Sequence, residues 1–413
     1  MMASTGLPPN HREPTWIWPT FQAGLVALPF SALLGLGAWL AVIIGCGRPD
    51  RYIWGSRTEF RLWGLWAGLL GLSVVTAGRP GDAFLGIWNF LPFVLLYATG
   101  RGVVTTAGRR ERLAWLWLGT SGMMALVAWG QRYLGWRGQF LGLVDWTPES
   151  QQRVNSLFID PNIYAGYTVL SLALGLGLAA HVALKVGWRT RAFAQVIGLL
   201  LLNMGGLLLT RSINGLATAL LTAGLGALLQ GWVWLVGLVG LGGLAIGGAA
   251  LGPPWLHQPL RGLLPAVLWQ RLADYPTKLS QGNSRVDQWL AAWSLSEVRP
   301  WTGWGLRNFP EVYRALTQHT VNHPHNLVVM LIVETGRPAA LLLVGLVGWQ
   351  VYRGSRCLSR QDPLFTGFWL AFVATTLFHQ LDVPLFDSRI NALGWLLLGI
   401  TAGRADASRA EGI

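Results

Sequence analysis

The sequence is short of charge. Only 18 Asp and Glu and 31 Lys and Arg stand among 413 residues, 12% in all, where a soluble domain carries about 25%. That argues against two or three ordinary soluble domains. Cysteine is nearly absent: Cys46 and Cys357 both fall near expected helix ends on one side, which argues against a disulfide. There is no GxGxxG after a strand and no GxxxxGK[ST], which argues against nucleotide-driven pumping. No GxSxG elbow suggests a soluble-type hydrolase. Neither an internal repeat nor a low-complexity tract is visible. Residues 1–15 are polar and contain proline, with no early basic segment leading into a short apolar core; no cleavable signal peptide is expected.

Apolar residues make up 52% of the chain and mean hydropathy is +0.43. They cluster in blocks near the length that spans a bilayer core, about 20 residues. The 53 Gly and 24 Trp fit close helix packing in lipid and interfacial anchoring. The expected fold class is an all-α polytopic membrane protein of about 11–12 transmembrane helices with one large periplasmic helical loop. Spans are expected at about 18–46, 62–78, 84–100, 113–131, 162–184, 192–210, 212–229, 232–251, 326–351, 364–381 and 389–403. Block 18–46 is long for one pass and short for two, so it tilts strongly or contains a re-entrant piece. The tail after Arg404 reads as short, polar and loose.

The net charge of +13 would suggest nucleic acid in a soluble protein. In a polytopic chain it reads as topology, so no nucleic-acid partner is expected. Arg48, Arg51 and Arg57; Arg101, Arg109, Arg110 and Arg112; Lys185, Arg189 and Arg191; and Arg353, Arg356 and Arg360 mark cytoplasmic loops by the positive-inside rule. Loop 132–161, the turn at Arg211, segment 252–325 and turn 382–388 then face the side opposite the cytoplasm. This gives an N-terminal transmembrane unit, 1–251, a large periplasmic loop, 252–325, and C-terminal helices with a short cytoplasmic tail, 326–413. An outside N-terminus needs eleven passes; an inside one needs 18–46 to cross twice. Segment 252–325 holds two helix-like runs, about 259–274 and 285–298, and seven basic against four acidic residues leave it at +3. An anionic ligand is one reason for that excess.

Unusual polar groups collect on the outward face: Arg153, Arg211, Arg285, the cluster His319, His323 and His325, and Asp382, Asp387 and Arg389. Charge near a bilayer is costly and marks function candidates. An arginine's fork of donors suits a diphosphate; singly, each arginine also reads as a headgroup anchor or a loop salt bridge. HxxxHxH suggests metal spacing, but Pro324 interrupts it and no carboxylate or Cys stands beside it, so no metal is expected. A general base is the better reading, since an ordinary histidine, with a pKa of about 6.5, accepts a hydroxyl proton at neutral pH. His325 is placed at the start of the ninth helix; its plainer reading, with Asn326, is a helix cap. His181, His257 and His379 read as structural.

At HPHNLVVMLIVETG, residues 323–336, the sequence resembles the O-antigen ligase and polymerase superfamily, which shares His and Asn (or Ser, Gln), nine residues, then Gly: here His325, Asn326 and Gly336. Ala339 stands where the pattern has Gly, Thr or Tyr. Arg285, Trp289, Pro300, Gly303, Gly305 and Phe309 form a second matching block, Arg153, Pro161, Asn162 and Ala165 a third, and LTRSINGLA at 209–217 a fourth. In the fourth, many members carry Arg after the Ser, whereas Arg211 precedes Ser212. The resemblance implies a metal-independent, inverting glycosyltransferase without cofactor in the bacterial inner membrane, with its active face periplasmic. Its donor is a polyprenyl-diphosphate-linked glycan. The acceptor is lipid A-core for a ligase or another lipid-linked repeat unit for a polymerase; the ligase is the first expectation. His325 would be the base, Arg153, Arg211 and Arg285 would hold the diphosphate, and Asn162, His323, Asn326 and Gly336 would support them. The competing class is a membrane transporter of a small anion such as bicarbonate, suggested by HQLDVPLFDSRINALGW near the C-terminus. A transporter needs mid-membrane ionisable groups, and His181 and Glu334 are the main candidates. A structural scaffold would leave the Arg and His set without a purpose.

Overall fold

The computed structural model describes residues 14–46, 56–140, 144–148, 152–274, 276 and 284–410; Arg48, Arg51 and Lys278 lie outside the described residues. The architecture is all-α and polytopic. Among the described residues the only strand pairing is Gln139–Phe140 against Val144–Asp145. Among the described residues, six segments are long and apolar enough to cross a membrane: Pro80–Val103, Ala107–Tyr133, Pro161–Val186, Arg191–Thr210, Ile213–Gln230 and Val233–Leu251. Ala32–Gly45 and Pro363–Phe378 are shorter apolar helices.

The first block is a hairpin. Helix α1 (Ile17–Ala27) and α2 (Ala32–Gly45) are about 17 and 21 Å long at 1.5 Å per residue, short of the roughly 30 Å hydrocarbon core. Ser31 caps α2 through the Leu34 amide. Trp16 packs against Gly45, so both feet lie together. Of the two sequence readings, this geometry is the re-entrant or doubly crossing one.

Helix α3 (Arg57–Val75) follows, then α4 (Pro80–Ile87) and α5 (Leu91–Val103), a span broken at Trp88–Phe90, then α6 (Ala107–Tyr133). Four long apolar helices come next: α7 (Pro161–Val186), α8 (Arg191–Thr210), α9 (Ile213–Gln230) and α10 (Val233–Leu251). Side-chain caps start most of them: Thr106, Asp160, Thr190 and Ser212 each accept an amide of the first turn, a contribution of about 1 kcal/mol apiece.

Segment 252–325 contains α11 (Pro254–Leu263), α12 (Ala266–Ala273), α13 (Arg285–Val298) and α14 (Phe309–Thr317). The expected run 259–274 is thus two helices, separated at Leu264–Pro265, while 285–298 is one, opened by a Ser284/Asp287 capping box. The chain ends with α15 (Leu327–Thr335), α16 (Arg337–Ser355), α17 (Pro363–Phe378) and α18 (Ser388–Ala410). Helices α7 and α17 touch backbone to backbone where Gly177 meets Gly367; any side chain there would force them apart.

The expected continuous helix 326–351 is broken at Gly336. Its φ is +81°, and residues 300–305 lie against the break. Arg337 donates its amide to the Pro300 carbonyl at 2.8 Å, Trp304 to Val333 at 3.0 Å and Gly305 to Glu334 at 2.8 Å. A Cβ on Gly336 would collide with the Trp301 carbonyl. Glu334 accepts the Phe309 amide at 3.2 Å and so caps α14, a structural use for a charge that sequence reading offered to a transporter.

Two further expectations are corrected. Arg101 is not a loop charge: it is 3% exposed, lies inside α5 and pairs with Glu59 of α3 at 2.7 Å and with Asp406 of α18. Arg353 joins Asp406, and Gln350 donates to Glu59 at 2.9 Å. These charges stand in or beside the first or last turns of their helices, at one end of the bundle, and neutralise one another. The tail after Arg404 is likewise not loose through Ala410, because the Asp406 pairs hold α18 helical to that point; residues 411–413 lie outside the described residues.

Candidate active site

The helix ends place the candidate residues on one end of the bundle. The side chain of Asn214, in the first turn of α9, donates to the Phe378 carbonyl at 2.9 Å. The Leu327 amide, at the start of α15, donates to the next carbonyl, His379, at 2.8 Å. The end of α17 is therefore a hub that fixes the α8–α9 turn carrying Arg211 and the α15 entry carrying His325.

His325 does not begin a helix. It precedes the N-cap in the left-handed region, with φ +54°, a conformation sparsely populated for a non-glycine residue and concentrated at functional sites. The cap is Asn326, whose Oδ1 accepts the Val329 amide at 3.0 Å while its Nδ2 donates to the Gln380 carbonyl at 3.1 Å. The plain reading thus holds for Asn326 and leaves the His325 ring free for chemistry. The His325 amide is held by Nδ1 of His323 at 3.2 Å. Trp289 of α13 donates to the Pro324 carbonyl between them at 2.8 Å.

Sequence reasoning missed the carboxylate. Asp382 lies 57 residues downstream, yet its Oδ1 is 3.1 Å from Nδ1 of His325 and 4.0 Å from Nε2 of His323. The expectation that no carboxylate stands beside the histidines is therefore wrong. The only sequence signal was the placement of turn 382–388 on the same face. Asp382 and His323 are largely buried, and His325 keeps 33% of its side chain exposed. Burial alone would raise the Asp382 pKa, but the His325 hydrogen bond, the two imidazoles and the Val383 amide together bring it below the ordinary carboxylate value. Burial first, then the charges of His325 and Arg285, push His323 down to about 4 against the pull of Asp382. His323 is thus neutral near pH 7, as it must be to accept the His325 amide through Nδ1. An ionised Asp382 only accepts, so Nδ1 of His325 donates to it, and in the neutral imidazole Nε2 then presents a lone pair. His323, His325 and Asp382 also offer ligand atoms within 4.8 Å of one another, close enough to hold a metal ion together.

The arginines divide between two places. Arg153 donates through Nε to the Thr210 carbonyl at 2.9 Å and through Nη2 to Oδ1 of Asn162 at 2.8 Å, so Asn162 positions Arg153. Arg211 caps α8 with φ +54° and reaches Gln152 at 3.2 Å. Arg285, at the start of α13, belongs with the histidines, since its charge bears on His323. His319 is exposed and takes no part in the cluster. Arg389 is buried against Asp387 and donates to the Leu157 carbonyl at 2.9 Å, a fold contact. His257 and His379 bond nearby carbonyls and His181 pairs with Glu111; all three have structural roles.

Residues 164–344 match the family model described as O-Antigen ligase. The match includes Arg211, Arg285, His323, His325, Asn326 and Gly336, and stops short of Arg153, Asn162 and Asp382. No curated protein matches the chain.

Proposed function

Because the chain carries an O-antigen ligase domain, which supports its place in the O-antigen ligase and polymerase superfamily, we propose that it is a membrane glycosyltransferase of that type with His325 as general base. The single observation that carries this is the His325–Asp382 pair at 3.1 Å, on the bundle end where the arginines also stand.

The donor is a glycan linked to a polyprenyl diphosphate, and the acceptor is lipid A-core. An acceptor hydroxyl lies against Nε2 of His325. Its oxygen forms a bond to the anomeric carbon as the bond from that carbon to the diphosphate breaks, and the configuration inverts. The proton goes to Nε2, Asp382 stabilises the imidazolium, and the leaving electron pair resides on the diphosphate, held by Arg153, Arg211 and Arg285. The proton is then lost to water. The site faces the periplasm from the bacterial inner membrane, the side opposite the Arg-rich loops.

The test uses purified protein in nanodiscs with lipid-diphosphate glycan, in tubes with and without lipid A-core, each run with and without chelator. Product on lipid A-core supports the ligase. Lengthened lipid-linked chains alone make the protein a polymerase. Activity lost to chelator and restored by metal would turn the His323, His325 and Asp382 cluster into a metal centre and overturn the base. No product in either tube sinks the transferase reading and leaves small-anion transport.

A further inference from the structure

A second arginine that sequence reasoning passed over meets the α8–α9 turn. Arg271, in α12, donates through Nη1 to the Arg211 carbonyl at 2.9 Å. Among the described residues, Arg211 donates from its side chain once, to Gln152. A guanidinium has five N–H donors, so each keeps most of its fork. Among the described residues neither guanidinium has a carboxylate within ion-pair range. Beneath them lies a small, shallow groove, partly open to the outside. Leu208 from α8, Ile213 and Leu216 from α9, and Val267 and Leu268 from α12 line its apolar part, and Arg211 and Arg271 stand at its polar rim. An apolar groove with two cations at one edge complements an amphiphile with an anionic head and a hydrocarbon tail, and two adjacent forks match a diphosphate more closely than a single phosphodiester.

We propose that this groove seats the leading part of the donor's polyprenyl chain, with Arg271 joining Arg211 on the diphosphate. The inference rests on the donor assigned above and adds where its lipid lies. Arg271 is a positioning residue: it holds the backbone of the Arg211 turn in its left-handed conformation and offers its remaining donors to the phosphates. Placing the chain between α8, α9 and α12 also gives α12 a purpose, since this helix buries no residue fully.

The experiment measures binding of labelled undecaprenyl diphosphate, without glycan, to the full chain in nanodiscs, alongside inorganic diphosphate and phosphatidylglycerol as competitors. Arg271→Ala is expected to weaken both diphosphates about tenfold, with Arg271→Lys recovering part of the loss, and in turnover to raise donor KM more than it lowers kcat. Leu268→Trp, which fills the groove, is expected to weaken undecaprenyl diphosphate while leaving inorganic diphosphate unchanged. Wild-type affinity in Leu268→Trp moves the chain elsewhere, and wild-type affinity in Arg271→Ala removes that residue from the head site. Phosphatidylglycerol competing as well as the diphosphate makes the groove an ordinary lipid contact. Each of these overturns the inference while the transferase stands. If wild type binds no undecaprenyl diphosphate at all, the donor assignment itself fails.

Discussion

Replacing Asp382 separates charge from orientation. In the Asp382→Asn variant the amide oxygen has a reason to stay where Oδ1 is, because that atom also accepts the Val383 amide at 2.9 Å. It would still receive the proton on Nδ1 of His325, so the tautomer that frees Nε2 survives. What disappears is the anion beside the imidazolium. Opposite charges about 4 Å apart are worth about 4 kcal/mol at an effective dielectric of about 20. With a third of the His325 side chain exposed, about half of that remains after solvent screening. Losing about 2 kcal/mol from the transition state slows transfer about thirtyfold. Asp382→Ala loses both the charge and the tautomer control, and its loss should approach the full general-base contribution, about 10²–10⁴-fold. The assay is single-turnover transfer at saturating donor in nanodiscs. Both variants within about threefold of wild type would refute the dyad, and equal large losses would refute the separation.

Acidification offers a second test. His323 sits at about 4 when folded against an ordinary 6.5, so between those values the unfolded chain binds more protons and stability falls as pH falls. From pH 7 to 5 the loss is about 2 kcal/mol, seen as a lower thermal midpoint; His323→Gln should lack this component, and an identical pH response in the variant contradicts it. Gly336→Ala should cost about 2–4 kcal/mol from its positive φ and the Trp301 collision, whereas Gly345→Ala, with nothing near its Cβ, should be neutral or slightly stabilising; similar thermal midpoints for the two would count against the break. Arg285→Ala should raise donor KM more than Arg285→Lys does, and equal effects argue against a bidentate contact. Arg101→Ala removes the nearest cation from buried Glu59 and leaves it Tyr97, Gln350 and the more distant Arg353; it should cost at most about 3–5 kcal/mol, with the donor KM of the surviving folded protein unchanged, and a selective KM change would tie that cluster to the site.

Legibility followed locality. Helices α7 to α10 lie within a few residues of their expected bounds, because uninterrupted apolar runs, bounded by the caps Asp160, Thr190 and Ser212 and by Gly187, Gly231 and Gly252, leave little choice. The α1–α2 hairpin was ambiguous, since only Phe30 and Ser31 beside Pro29 mark its bend within an apolar block. The break at Gly336 had a local signal that the expected continuous helix passed over, Gly336 followed by Arg337 and Pro338 at the start of α16; residues 300–305 packing against it complete it. The role of Asn326 as a cap could be read from its position. Asp382 could not be assigned to His325 across 57 residues, nor Arg101 to Asp406 across 305, because no local pattern encodes which helix ends meet. The arginines were legible as a set, but their division between the α8–α9 turn and the histidine cluster needed the fold.

The most direct measurement of the central claim is transfer by His325→Ala, with and without added imidazole, at saturating donor and acceptor. His325 lies outside any helix and, among the described residues, its side chain hydrogen-bonds Asp382 alone, at 3.1 Å, so the variant should fold, bind donor and transfer nothing, and imidazole filling the vacated space should restore part of the rate. Transfer by His325→Ala at the wild-type rate would contradict the account.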